Sequence, residues 1–317
     1  MILESLSRSI FHRIRESEKG GAERFKPDYP LVLFILFSRI SVGFGYSASF
    51  LYVSKSHLSF YLTVCAFIAM VTAMILSLTH LAIPFRFYRV LRNPFSNLTR
   101  EIYLSSVYLA ILFILILNGV ADSSEFYNTS AVLVAISASL FLLGTTYAYR
   151  YTSHPLWNTM RLFPYYLLNG VAFASFILGL TSLIYGGRTS GVYVICGGLF
   201  ILLQSLSASY YIIFLKEKST KALVYIRKNK SSLAYSWLIL NFLFPISISC
   251  VFLIMGSSGF VSVFGMLILL VSMVFGVYME RFLFFFLEKP VFFFNPELQG
   301  RVEEDNHLKQ EDKSPRF

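Results

Sequence analysis

The chain has 317 residues, of which 56% are hydrophobic and 17% aromatic while only 14% are charged, with a mean hydropathy of +0.64. That balance excludes a water-soluble domain, in which about 25% of residues carry charge. The net charge of +10 is not a nucleic-acid signature either, because no soluble basic domain is predicted to carry it.

Residues 1–29 form a basic polar tail with Arg8, Arg13, Arg15, Lys19, Arg24 and Lys26. The first apolar run begins only at Pro30, so the tail does not read as a cleaved signal peptide and the chain is expected to insert intact. Crossing about 30 Å of hydrocarbon takes roughly 20 apolar residues in a helix. Runs of that length occupy 30–53, 58–81, 102–121, 130–150, 162–185, 191–215, 233–256 and 259–286. The predicted fold is an all-α integral membrane protein with eight transmembrane helices. Residues 30–150 and 151–286 are expected to form two four-helix bundles. Phe282 to Phe294 reads as a helix leaving the membrane with its rings at the interface. The chain ends in a polar tail, 287–317, of which Glu297 to Phe317 is expected to be disordered or to strap onto a partner.

Lysine and arginine divide unequally between the two faces. Six lie in the N-terminal tail, four between spans two and three, two around 150–161, six at 216–230 and six from Arg281 onward. The opposite face has only Lys55 and Arg188, with Asp122 and Glu125, while Arg39 sits inside the first span. The positive-inside rule makes both termini and the basic loops cytoplasmic. The basic surface suits anionic lipid. The run from Lys216 to Lys230 would also suit an acidic protein partner.

The polar residues that remain gather at the basic end. Arg39 lies about eight residues, hence roughly 12 Å, into the first span. His80 closes the second span and is the only imidazole at a membrane boundary, since His12, His57, His154 and His307 fall in tails or loops. Glu101 opens the third span, Tyr147, Tyr149 and Arg150 end the fourth, and Trp157, Asn158 and Arg161 precede the fifth. One pocket at the basic end of the first bundle is expected to draw on all of them. A lone histidine at that depth points to proton-coupled chemistry. Two plainer readings stand beside it: Arg39 snorkels to phosphate or pairs with Glu101, and His80 is a helix-end histidine stabilised by the carbonyl dipole. A haem held by two histidines is not expected, because no second histidine lies in a span. Cys65, Cys196 and Cys250 occur singly, a pattern for neither a disulfide framework nor an iron–sulfur or other metal site.

Three segments share order and spacing with a known family: His80-Leu-Ala-Ile-Pro84 with Arg89-Val-Leu-Arg-Asn93 and Thr99-Arg-Glu-Ile102; Tyr149-Arg-Tyr151 with Pro155-Leu-Trp-Asn-Thr159; and Gly276-Val-Tyr-Met-Glu-Arg281. In these, and in its eight spans, the chain resembles the membrane anchor subunit of anaerobic dimethyl sulfoxide reductase. It departs from the family pattern at Ala82, Val277 and Arg39. The resemblance implies a subunit of a bacterial or archaeal cytoplasmic (inner) membrane that has no metal of its own. It would bind menaquinol or another quinone and exchange electrons with a four-cluster ferredoxin-like iron–sulfur subunit, which serves a molybdopterin catalytic subunit. His80 then belongs to the quinol site, with Glu101 as its partner and Arg39 orienting the carboxylate or the second quinol oxygen. Tyr147, Tyr149, Trp157 and Arg161 would line that site. Whether the subunit itself oxidises quinol or is non-catalytic stays open. A secondary transporter and a purely structural tether are the rival readings.

Overall fold

The computed structural model describes residues 29–54, 56–79, 97–120, 127–150, 159–185, 190–218, 231–255 and 260–286. Nine α-helices and one π turn account for nearly all of these. They are α1 (Tyr29–Val53), α2 (Leu58–Thr79), α3 (Asn97–Val120), α4 (Tyr127–Arg150), α5 (Leu162–Ile184), α6 (Ser190–Lys218), α7 (Ser231–Leu238), α8 (Phe244–Met255) and α9 (Phe260–Phe286). A π turn, Ile239–Leu243, joins α7 to α8 into one span. Among the described residues, eight helical segments are long and apolar enough to cross a membrane, as expected of a multi-pass membrane protein. Helix is the natural state for such runs, because hydrocarbon offers backbone N–H and C=O groups no partner outside the segment itself.

Helix α1 is the hub. It packs against α2, α4, α5 and α9, and 67% of its most apolar window is buried, against 28% for α3 and α6. Its small residues explain this position, since helices in lipid associate where small side chains let backbones approach. The Phe173 ring of α5 lies over Gly43, where a β-carbon would come within 2.4 Å of it, and the Tyr108 hydroxyl of α3 fills the corresponding space at Gly45. Further contacts link α2 with α3, α3 with α4, α4 with α5, α5 with α6 and α9, and α6 with α8; α7 and α8 both rest on α9. Helix α6 runs along α8 and the π turn.

The predicted spans coincide with the observed ones within a few residues, with two differences. Helix α3 begins at Asn97 rather than 102, so Glu101 lies within its second turn instead of opening it. The seventh span is not one regular helix. Pro245 has no N–H to offer the Asn241 carbonyl four residues back, and its ring crowds that carbonyl. The backbone widens just before it, and the Phe244 N–H bonds to Ile239 O, five residues back. Gly276 of α9 faces this turn so closely that a β-carbon would sit 2.9 Å from Asn241 Cβ and 3.1 Å from its backbone nitrogen.

Candidate functional site: a buried ion cluster beside a lateral cavity

A charge inside an apolar span needs partners there, because its transfer from water to hydrocarbon costs several kcal/mol. Arg39 of α1, Glu101 of α3, and Glu280 and Arg281 of α9 are all buried, and they meet at the end of the helices from which the basic tails and loops emerge. Arg39 grips Glu280 with both arms of its guanidinium, Nη1 at 2.5 Å from Oε2 and Nη2 at 3.3 Å from Oε1. Such a fork fixes direction as well as charge. Arg281 Nη2 lies 3.2 Å from Glu280 Oε1. The Tyr165 hydroxyl donates to Glu280 Oε2 at 3.2 Å, and in turn accepts from Asn241 Nδ2 at 2.7 Å.

The Tyr166 ring separates the two guanidiniums, its centroid 4.1 Å from Arg39 Cζ and 4.6 Å from Arg281 Cζ. A π face between like charges screens their repulsion and attracts both. Glu101 joins from α3, held by the Thr145 hydroxyl and near enough to Arg281 to feel its charge. The group thus contains two carboxylates and two guanidiniums, which balance when all are ionised. Glu101 Oε1 is buried with no hydrogen-bond partner among the described residues.

No protein-family model matches the chain, and no curated protein matches it. Its functional reading therefore rests on these contacts and on the motifs in its sequence.

Next to the cluster lies a cavity of about 200 Å³ bounded by α5, α6, α7 and α9. Tyr165 and Glu280 line it together with Ala208, Tyr211, Trp237 and Phe284. Two further wall residues, Ile212 of α6 and Leu238 of α7, are exposed on the perimeter of the protein. The cavity's edge between α6 and α7 thus reaches the apolar perimeter of the helices.

The residues singled out by sequence take different places. Arg39 is in the cluster, but its carboxylate partner is Glu280, and Glu101 reaches it only through Arg281. Arg161 leaves the cluster to α6, stacking on Tyr210 at 4.2 Å and Phe214 at 4.8 Å. Tyr147 is half-buried on α4, and the Tyr149 side chain, like His80 and Trp157, lies outside the described residues. Glu280, Arg281, Tyr165, Tyr166 and Asn241 did not stand out as site residues. The available signal was the charged pair Glu280-Arg281 inside the last apolar run, four residues beyond Gly276.

Proposed function

We propose that this chain is the membrane anchor subunit of a molybdopterin oxidoreductase of the dimethyl sulfoxide reductase type, binding quinol in the bilayer and passing its electrons to a docked iron–sulfur subunit. The proposed setting is a bacterial or archaeal cytoplasmic membrane, with both termini on the cytoplasmic side. The arrangement proposed for the helices is two four-helix bundles, α1 to α4 and α5 to α9. The rings of neighbours α1–α2–α3–α4 and α5–α6–α8–α9, joined through α1–α5, α1–α9 and α4–α5, support it.

The observation that carries this reading is the buried carboxylate of Glu101, with one oxygen unpaired, coupled through Arg281 to the Glu280–Arg39 pair. Oxidising a quinol sends electrons to the iron–sulfur partner and releases protons, so a base must stand by each hydroxyl with a route to water. His80, following directly on α2, is the proposed acceptor, because an imidazole titrates near neutrality. Glu101 passes the proton toward the basic face. Arg39 is held by Glu280, so its effect on Glu101 runs through Arg281; it is a positioning residue. The donor set fits a quinol: carboxylate and hydroxyl groups in a largely apolar interior. The chain supplies no electron carrier in this scheme, which leaves that task to the partner.

A secondary transporter often uses a helix broken at mid-membrane, and the π turn at Asn241 is the one feature that favours this reading. It keeps the span continuous, however, and the charges lie toward one end. A quinol-oxidation assay on the assembled complex with His80→Arg tests the proposal. The expected result is loss of quinol-linked turnover with the complex still assembled. Undiminished turnover would leave a tether or a transporter.

A further inference from the structure

The cavity between α6 and α7 is not used by the scheme above, which assigns the quinol chemistry to His80 and Glu101, neither of which lines it. Three buried polar atoms border this region without a well-formed hydrogen bond among the described residues: Asn241 Oδ1, and Trp237 Nε1 and Gln204 Nε2, which both turn to the Tyr165 hydroxyl that already accepts from Asn241. Gln204 and Asn241 are wholly buried. Unpaired polar atoms in so dry a setting cost about 1–3 kcal/mol each. Their concentration where α5, α6, the π turn and α9 converge marks a place that a ligand or water completes. Trp237 itself lines the cavity, with its N–H as donor, and the Glu280 carboxylate beside it is an acceptor.

The cavity's remaining walls are apolar, and its edge lies at the apolar perimeter. The occupant is therefore an amphiphile whose head carries an oxygen acceptor and a hydroxyl donor and whose tail stays among acyl chains. Its size is in keeping, since an apolar cavity of about 150 Å³ accepts benzene. We propose that this cavity is a second, lateral quinone site, entered between α6 and α7, in which Trp237 donates to one ring oxygen and, in the quinol form, the opposite hydroxyl donates to Glu280. This inference rests on the quinol reading given above. It adds a binding site in the second half of the chain, from which the ion cluster is reached directly.

The chain has two tryptophans, so Trp157→Phe leaves Trp237 as the sole indole reporter, placed in the cavity wall. The experiment titrates decylubiquinone into lipid nanodiscs containing full-length Trp157→Phe protein. It follows indole emission and, separately, the tritiated decylubiquinone retained by the discs. The expected result is saturable quenching that weakens on the order of tenfold when Ala208→Phe or Ala234→Phe fills the cavity from either wall. His80→Arg should leave it unchanged. Circular dichroism and gel filtration check each filled variant, and two variants from opposite helices keep the test alive if one misfolds. Quenching merely linear in quinone, with retained label lost in His80→Arg, would overturn the second site and leave the functional proposal standing. No retained label in any folded variant would overturn both. Quenching by a brominated phosphatidylcholine that decylubiquinone cannot relieve would make the cavity an acyl-chain groove and overturn the inference.

Discussion

The two ends of the helix assembly solve the problem of polar groups in lipid in different ways. At the end where α1 finishes and α2 begins, four buried or part-buried hydroxyls are tied locally or to one neighbour. Ser59 bonds to Ser56 O at 2.7 Å, Thr63 to Ser59 O at 2.8 Å, Tyr52 to Thr63 at 3.0 Å and Ser49 to Ala131 O at 2.6 Å. At the basic end four full charges from three helices, α1, α3 and α9, meet in one cluster, with Arg39 and Glu280 separated by 241 residues of sequence. Hydroxyls of the first kind can be lost one at a time. The charges stand or fall together, because each is tolerated in a dry interior only while its partner is present.

The sharpest way to break this comparison is Glu280→Ala, which leaves Arg39 and Arg281 with one carboxylate, Glu101, between them. Removing one member of a buried ion pair costs about 3–5 kcal/mol, and here two guanidiniums lose their partner. Denaturant unfolding in bicelles should show a loss of that size. A cost below about 1 kcal/mol would mean that water already reaches the cluster. The double variant Arg39→Met with Glu280→Met should be less damaging than the sum of its two singles, by on the order of 0.5–3 kcal/mol of coupling.

The same contrast separates what was legible in the sequence from what was not. The eight spans were readable because hydrocarbon imposes a length and a composition on each of them separately. The start of α3 was misplaced because Asn97, Thr99, Arg100 and Glu101 make its first residues polar, so that they carry no hydropathy signal. Arg39 was recognisable as a buried charge, but its partner was not. Glu101 was the nearest acid along the chain, whereas packing of α1 on α9 decides the pairing, and no local pattern encodes that contact. Arg281 was counted with the charges of the basic face, when it is buried more than a turn inside the last helix beside Glu280. The π turn was equally hidden, since a proline predicts disturbance but not its form.

Gly276→Ala tests the close approach that brings α9 against the π turn, and with it Asn241 against Tyr165. The added β-carbon would meet Asn241 Cβ at 2.9 Å and its Cα at 3.0 Å. Backbone atoms cannot swing aside as the tip of a side chain can, so either α9 or the turn must shift. Overpacking of this kind costs about 1–3 kcal/mol, less than Glu280→Ala but enough to detect by the same unfolding titration. Unchanged stability would show that the turn is slack, and the Asn241–Tyr165 contact would then not be held by packing.

The smallest effect belongs to the other end of the molecule. Tyr52→Phe removes the hydroxyl that pairs with Thr63, yet the Thr63 hydroxyl keeps its bond to Ser59 O within α2, so no buried donor is abandoned. Hydrogen bonds between helices in membranes average about 0.6 kcal/mol in double-mutant cycles, and a loss of that order is expected here. A loss approaching that of Glu280→Ala would erase the distinction between the two ends, because it would mean that a single neutral hydroxyl specifies helix packing as strongly as an ion cluster drawn from three helices. A small loss leaves the burden of specifying the fold where the charges are.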